Sequence, residues 1–215
     1  MKLLTLPGVF APISDSWMLA DAIREEALGE GSRALDVCTG SGVLALTAAQ
    51  CGADTTAIDV SRRALVTVRL NALRAGVRVR TLRGRTYGPV AGERFDLIVS
   101  NPPYVPSPRP DVPRFGACRA WEAGHDGRIV LDALCDGAPA HLRPGGALLV
   151  VHSSLIGTDD TLGRLRRAGL KVEVRARVRG PLGPLMRAQQ ASGSIPAGVE
   201  EEDVVIIRAC APAAA

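Results

Sequence analysis

The sequence is poor in the residues that build zinc sites, disulfide frameworks and membrane spans. It contains 5 cysteines and 3 histidines in 215 residues, and no two cysteines form a CxxC pair. A scattered, odd set of cysteines does not indicate a disulfide framework, and so few histidines without ligand spacing do not indicate zinc. The apolar runs are too short to cross a bilayer, and Pro7 interrupts the N-terminus too early for a signal peptide. We therefore expect a reduced, cytoplasmic protein with no metal site and no membrane contact.

Lysine is equally scarce and occurs only at Lys2 and Lys171. Arginine therefore supplies nearly all of the positive charge behind the net charge of +4. Arginine suits bidentate contacts with carboxylate or phosphate groups. The charge does not form one basic block, however, so composition does not indicate nucleic acid as the partner. A length of 215 residues is typical of one globular domain with a full core.

Short apolar runs alternate with helical patterns along the chain. This alternation indicates an α/β fold, in which a parallel sheet carries helices on both faces. Strands are predicted over 33–38, 55–60, 77–82, 94–100, 147–153, 170–178 and 203–209, with a turn at 144–146 before the fifth. Helices are predicted over about 15–28, 42–51, 61–76, 127–141 and 159–168.

The two ends of the chain depart from this alternation. The last two strands lack a helical crossover, so we expect an antiparallel hairpin with a long insert over 180–202. The first helix precedes the first strand and is expected to cover the open end of the sheet. The sequence thus predicts a single domain with a helical cap (1–31), a cofactor-binding core (32–153) and a C-terminal helix and hairpin (154–215).

A glycine turn, LDVCTGSGVLAL (35–46), places Gly40 and Gly42 between a predicted strand and a predicted helix. Glycine lets a ligand lie directly on such a turn, at the carboxyl edge of the sheet. Asp59 ends the next strand, where a carboxylate can accept hydrogen bonds from both hydroxyls of a ribose. The pattern also fits a dinucleotide site, but Asp36, ahead of the glycines, would repel a pyrophosphate. A carboxylate there suits a ligand with ammonium and sulfonium groups, such as S-adenosylmethionine.

A stiff elbow, Asn101-Pro102-Pro103-Tyr104, follows the fourth predicted strand. The prolines fix the backbone, and they offer carbonyl acceptors but no backbone N–H donor. The side-chain carbonyl of Asn101 and the backbone carbonyl of Pro102 could accept two N–H hydrogens and aim a poor nitrogen nucleophile at a methyl donor. The ring of Tyr104 could stack on a planar acceptor. Read alone, the motif is also compatible with a loop that merely ends the strand.

Asp36 with TGSG, the strand-end Asp59 and NPPY together resemble class I S-adenosylmethionine-dependent methyltransferases. More narrowly, the chain resembles the HemK-type glutamine N5-methyltransferases, which modify the Gly-Gly-Gln loop of peptide release factors. The short eukaryote-type branch has a similar N-terminal motif, PGVFAPISDSWMLADAI (7–23), and a similar loop, AWEAGHDGR (120–128). The resemblance implies a seven-stranded Rossmann-like sheet, S-adenosyl-L-methionine as cofactor, a release factor as protein substrate and a small activating partner protein.

The resemblance also assigns roles to residues of this chain. It makes the four NPPY residues catalytic and puts Tyr104 and Trp121 at the substrate. Arg85 stands where the family usually has an aspartate at the adenine amino group, which leaves that contact open. Ser14 or Asp15 is expected to cap the first helix. Residues expected at the cofactor are Ser16 (at the methionine carboxylate), Asp36, Cys38 (through its backbone), Gly40, Gly42, Asp59, Arg85, Thr86 and Asn101.

Three functions stay open at this point. The first is methylation of a protein glutamine. The second keeps the chemistry but changes the acceptor to adenine in nucleic acid, a protein lysine or a small-molecule amine; a flipped adenine would need a basic groove. The third is a cofactor-binding subunit without turnover, which the intact NPPY opposes. The proline- and arginine-rich loop 105–119 is either a solvated loop or a lid over the acceptor.

Overall fold

The structure, a computed structural model, describes residues 3–213, so the outermost residues of the predicted cap and C-terminal segment lie outside it. Its strands are β1 (Arg33–Val37), β2 (Asp54–Asp59), β3 (Val79–Arg83), β4 (Phe95–Ser100), β5 (Leu142–Ser153), β6 (Lys171–Pro181) and β7 (Glu201–Cys210). Its helices are α1 (Ser14–Arg24), α2 (Val43–Gln50), α3 (Arg62–Ala75), α4 (Ile129–His141), α5 (Thr158–Arg167) and α6 (Pro184–Ala191).

The strands form one seven-stranded sheet in the order β3-β2-β1-β4-β5-β7-β6. Strands β1 to β5 pair in parallel, whereas β7 is antiparallel to both β5 and β6. The central strands are buried on both faces, which explains why their sequences are nearly continuous apolar runs. The predicted α/β class, the mostly parallel sheet and the antiparallel C-terminal hairpin are confirmed.

The strand order reverses between β1 and β4, which lie side by side in the middle of the sheet. At such a reversal the two chain crossovers leave in opposite directions and open a crevice at the carboxyl ends of the strands. The glycine turn follows β1, and NPPY follows β4. The topology therefore brings these two motifs to the same crevice.

Helix α3 begins and ends as its sequence predicts. The side chain of Ser61 accepts a hydrogen bond from the backbone N–H of Ala64, and Gly76 ends the helix with a left-handed φ of 66°. A serine cap and a glycine stop are local signals, so they can be recognised without knowledge of the tertiary structure.

Helix α1 differs from its prediction. It ends at Arg24 rather than at residue 28, and it packs beside α2 on one face of the sheet instead of covering the open end. Its side chains Leu19 and Ile23 are fully buried in the apolar cluster on that face. Because an amphipathic helix buries its apolar stripe where the largest apolar surface is available, the sheet face determines its position.

The predicted turn at 144–146 lies within β5, which already begins at Leu142, but the strand is irregular there: its register with β4 shifts between Leu142 and Ala147, and Gly145 has a φ of 77°. Its glycines pair with the C-terminal segment: the N–H of Gly145 donates to the carbonyl of Pro212, and the carbonyl of Gly146 accepts from Ala211. A long-range partner therefore extends the strand through a sequence that reads locally as a turn. None of the helices within residues 3–213 is long and apolar enough for a membrane span.

Candidate active site

The glycine turn between β1 and α2 is held by Asp36. Its Oδ2 atom accepts hydrogen bonds from the hydroxyl of Thr39 (2.6 Å) and from the backbone N–H of Ala45 (3.0 Å). Gly42 has a φ of 87°, and a Cβ atom at this position would lie 2.9 Å from Cγ2 of Val68. Glycine thus meets both the backbone and the packing requirement here. These contacts fix the shape of the turn before a ligand arrives.

Asp59 connects the end of β2 to the same turn. Its Oδ2 atom accepts a hydrogen bond from the N–H of Gly40 (3.0 Å), and its Oδ1 atom accepts one from the N–H of Ser61 (2.8 Å). Burial raises the pKa of this carboxyl, and the hydrogen bonds from Ser61 and Gly40 act in the opposite direction. Each carboxylate oxygen retains lone pairs, so Asp59 can still accept hydrogen bonds from two ligand hydroxyls.

A cavity of about 280 Å³, here called the turn cavity, lies over the glycine turn. Asp36 and Gly42 do not line it: both are buried, and their contacts shape the turn instead. The other residues expected at the cofactor all line this cavity: Ser16, Cys38, Gly40, Asp59, Arg85, Thr86 and Asn101.

The loop over 105–119 was expected to be either solvated or a lid over the acceptor. Its outer side is solvated, and Phe115 is 85% exposed. Its inner side, however, lines the turn cavity through Val112, Ala117 and Arg119. The loop therefore covers part of the turn cavity, while its first residue, Val105, lines the neighbouring cavity.

A second cavity of about 370 Å³, here called the elbow cavity, lies next to the first. Asn101, Pro102 and Tyr104 of NPPY line it together with Trp121. Pro103 faces the turn cavity instead, and Asn101 borders both. The catalytic and substrate residues expected from sequence are thus brought together, with Asn101 at the junction.

The far wall of the elbow cavity is formed by the hairpin insert, to which sequence reasoning gave no definite role. Pro184, Leu185 and Met186 of α6 line the cavity, as does Glu202 of β7. The Oε1 atom of Glu202 accepts a hydrogen bond from the N–H of Gly183 (2.9 Å), which fastens the start of α6 to the sheet. The apolar beginning of the insert, GPLGPLM, was the available signal for a buried wall.

Two neighbouring residues of α1 contact NPPY. The Oγ atom of Ser16 accepts a hydrogen bond from Nδ2 of Asn101 (3.0 Å), and Oδ2 of Asp15 accepts one from the hydroxyl of Tyr104. The N-cap residue of α1 is Ile13, and no side chain caps the helix, so the expected cap by Ser14 or Asp15 was wrong. Sequence reasoning missed the contact of Asp15 because it joins residues 89 positions apart.

The carboxyl groups of Asp59 in the turn cavity and of Asp36, buried in the glycine turn, fit a cationic nucleoside ligand. The Oδ1 atom of Asp36 is buried and has no hydrogen-bond partner within residues 3–213. Burial raises the pKa of Asp36 to about 7, against the hydrogen bonds from Thr39 and Ala45. A positive ligand next to this turn would favour the ionised form, and Asp59 offers a carboxylate to a ribose. The residues present therefore fit S-adenosylmethionine.

The sheet order, the glycine turn and the NPPY elbow define a class I methyltransferase. Comparison with known families agrees: the profile named "Methyltransferase small domain" matches residues 1–110. The chain belongs to this methyltransferase family, and the resemblance to release factor glutamine methyltransferases is confirmed by its relatives.

The relatives that carry glutamine methyltransferase names include an archaeal and a bacterial protein. The putative protein N5-glutamine methyltransferase of Methanocaldococcus jannaschii is 29% identical, over 86% of this chain and 93% of its own length. The release factor glutamine methyltransferase of Bordetella pertussis is 38% identical over 80% of this chain, which spans 66% of that relative. This chain is thus similar in length to the archaeal protein and spans only part of the bacterial one.

A solved structure shows the same fold. A chain of the E. cuniculi Mtq2–Trm112 complex, which is responsible for methylation of the eRF1 translation termination factor, matches with a TM-score of 0.67. The match covers 95% of this chain and 99% of that chain, with 22% sequence identity. At this identity the likeness establishes the fold alone.

Proposed function

We propose that this protein transfers a methyl group from S-adenosylmethionine to the side-chain amide nitrogen of a glutamine in a peptide release factor. The observation that carries the proposal is the junction of the two cavities at Asn101. A methyl donor in one cavity and an amide in the other would meet there. The names of the archaeal and bacterial relatives support glutamine as the acceptor.

The residues of the turn cavity would hold the cofactor. Asp59 would accept hydrogen bonds from the ribose hydroxyls. Gly40 and the backbone of Cys38 would contact the rest of the nucleoside. Arg85 and Thr86 line the cavity and would border the adenine. When bound, S-adenosylmethionine supplies an electrophilic methyl group on a sulfonium. Ser16 is within the same cavity and would reach the methionine carboxylate.

NPPY would prepare the acceptor nitrogen. The carbonyl oxygens of the Asn101 side chain and of Pro102 would each accept one of the two N–H groups of the glutamine amide. Held in this way, the nitrogen lone pair would be directed toward the methyl donor, and the two oxygens would stabilise positive charge that develops on the nitrogen. Tyr104 would stack on the amide plane, with Trp121 on the acceptor side of the cavity. The nitrogen loses one proton after the transfer, so no general base is needed before it.

A small activating partner belongs to the same proposal. Strand β3 ends the sheet and is open to strand addition, although its outer residues include the charged Arg80 and Arg83. Apolar contact would come from α3, where Val66, Leu70 and Leu73 are 44%, 39% and 79% exposed. These residues are spaced to share one helix face. A release factor substrate further implies the cytoplasm as the site of action.

Mass spectrometry of a release factor incubated with the enzyme and S-adenosylmethionine tests the proposal. The peptide with the Gly-Gly-Gln loop should gain the mass of one methyl group on the glutamine, and a release factor with that glutamine changed to glutamate should not. The assay is run with the enzyme alone and with cell extract, so that a need for a partner is visible. Methylation of lysine or adenine instead of glutamine would contradict the proposed acceptor.

A further inference from the structure

The first turn of α1 contacts both ends of the NPPY elbow. Ser16 contacts its first residue, Asn101, and Asp15 contacts its last, Tyr104. Asp15 and Ser16 are each only 5% exposed, although both are polar and lie near the beginning of a helix. Two successive side chains therefore connect the helix to a loop that is close in space, although the paired residues are 85 and 89 positions apart in the sequence.

The contact with Ser16 holds the Asn101 side chain in place and, in the structure, engages the nitrogen of its amide. An amide group has one oxygen acceptor and one nitrogen donor, and a half-turn about its terminal bond exchanges them. Because Nδ2 of Asn101 donates to Ser16, the oxygen Oδ1 is left to face the crevice. Only the oxygen can accept a hydrogen bond from an incoming N–H group. In the reversed amide, an N–H group would face the N–H groups of the methyl acceptor and could not orient them.

The contact of Asp15 fixes the ring of Tyr104. The hydroxyl donates to Oδ2 of Asp15, and the other oxygen of Asp15 accepts a hydrogen bond from the hydroxyl of Ser14 (3.0 Å). Burial, followed by the nearby charge of Asp15, raises the pKa of Tyr104 well above its usual value, so the phenol remains a donor at neutral pH. A ring held at its tip can move little across the wall of the elbow cavity.

We propose that Asp15 and Ser16 are positioning residues, which orient the Tyr104 ring and the Asn101 amide for methyl transfer. The inference rests on the proposed function, because it concerns the same acceptor site. It adds a role that cofactor binding by Ser16 does not include: the hydroxyl acts through Asn101 on the acceptor, and its loss should therefore lower turnover even when the enzyme is saturated with cofactor.

The first test does not depend on activity. In the NMR spectrum of the full chain, the side-chain amide protons of Asn101 should exchange slowly with solvent, since Nδ2 is hydrogen-bonded. Ser16→Ala should speed that exchange, and Ser16→Thr, which keeps a hydroxyl, should restore it. Equal exchange in wild type and Ser16→Ala would overturn the role of Ser16, whether or not any substrate is methylated.

The second test separates turnover from binding. Ser16→Ala should lower kcat, measured at saturating S-adenosylmethionine, about 10- to 100-fold, because small misplacements of a positioned group have effects of this size. Saturation with cofactor separates this loss from any weakening of the Kd for S-adenosylmethionine, which calorimetry measures independently. Ser16→Thr should recover most of the lost kcat. A weaker Kd with an unchanged kcat would assign Ser16 to the cofactor alone and overturn the inference.

The third test concerns Asp15 and uses a double-mutant cycle with Tyr104→Phe. If Asp15 acts only through the Tyr104 hydroxyl, the kcat losses of Asp15→Ala and Tyr104→Phe should not add in the double variant. Asp15→Asn retains an acceptor oxygen and should stay closer to wild type. Asp21→Ala is the matched control, because Asp21 is an exposed acid on the same helix and pairs with Arg24.

The outcomes distinguish this inference from the proposed function. A wild-type enzyme that leaves release factors unmodified contradicts the proposed function, and the exchange measurement on Asn101 still decides the role of Ser16. A wild-type enzyme that methylates glutamine, with additive losses in the Asp15 cycle or an equal loss in Asp21→Ala, overturns the role of Asp15. Melting temperatures of all variants, measured alongside, identify any loss that reflects unfolding.

Discussion

The turn cavity and the elbow cavity are neighbours, but the chain builds them in different ways. The turn cavity takes its largest group of lining residues from β1, β2 and the segments that follow each, which belong to one continuous βαβ unit. The elbow cavity combines the first turn of α1, NPPY and the insert between β6 and β7. These three segments come from the beginning, middle and end of the chain.

This difference separates the part of the crevice that the fold determines from the part that it does not. Any chain with this strand order and a glycine turn offers a similar place for a nucleoside at the carboxyl ends of β1 and β2. The elbow cavity depends on segments that the sheet does not prescribe, such as α6. We therefore expect changes in the turn cavity to affect cofactor binding, and changes in the elbow cavity to affect the acceptor. The following predictions test that separation.

The largest effect is expected at the junction of the cavities. Asn101→Ala removes one of the two oxygens proposed to hold the acceptor N–H groups. We expect kcat to fall about 10²- to 10³-fold, as for the loss of one oriented hydrogen-bonding group in an active site. The Kd for S-adenosylmethionine, measured by calorimetry, should change little. Normal turnover would contradict the proposed positioning of the acceptor.

A smaller effect, confined to the cofactor, is expected from Asp59→Ala. The loss of hydrogen bonds to a charged group should weaken binding of S-adenosylmethionine about 10- to 100-fold in a calorimetric titration. Asp54→Ala is the matched control, because Asp54 is an exposed aspartate at the opposite end of the same strand. Equal affinity in the wild type and Asp59→Ala would remove the basis for the ribose assignment.

A pH-dependent effect on stability is expected from Asp36. Because burial raises its pKa to about 7 from a usual value of 3.8, the folded protein binds more protons than the unfolded chain between these values. The contribution of Asp36 to the free energy of unfolding therefore decreases as pH rises through this window and levels off above it. Asp36→Asn keeps an oxygen for Thr39 and Ala45 but does not titrate.

Urea unfolding of wild type and Asp36→Asn at several pH values checks this expectation. The variant should gain stability relative to wild type by up to about 1.4 kcal/mol per pH unit within the window. Parallel curves for the two proteins from acidic to neutral pH would mean that Asp36 is already ionised in the folded state at low pH.

The smallest effect is expected in the wall of the elbow cavity. Leu185→Ala removes part of an apolar side chain that is half-buried in α6. The KM for the release factor should rise about fourfold, roughly what one buried methylene contributes to an apolar contact, while cofactor affinity stays the same. Arg187→Ala on the exposed side of α6 serves as the control. A change in cofactor affinity instead would show that the two cavities are not separate.

The sequence predicted the features whose residues lie close together in the chain. The glycine turn, Asp59 and NPPY each lie at the carboxyl end of a parallel strand. Local patterns, together with the rule that ligands bind at this edge of a parallel sheet, were sufficient to predict that they lie close together. The structure brings them to one crevice, and their roles in binding and catalysis stay predictions.

The features that sequence reasoning missed depend on how distant segments fold back. The contact between Asp15 and Tyr104 spans 89 positions, and nothing near Asp15 marks it as more than a residue of a first helical turn. The place of α6 in the wall of the elbow cavity is not visible in the sequence of the insert, because it follows from where the hairpin of β6 and β7 directs the helix. Even the strand through Gly145 and Gly146 required a distant partner that local turn propensity does not reveal.

The position of α6 between two antiparallel neighbours has an evolutionary consequence. A connection of this kind can lengthen at low entropic cost, about 0.6 kcal/mol for each doubling of its length, and without altering the register of the paired strands. Proteins that share this fold could therefore replace the connection between β6 and β7 and so acquire new methyl acceptors. The turn cavity would stay unchanged in the process. For protein engineering, the same segment is the natural place to graft a different specificity.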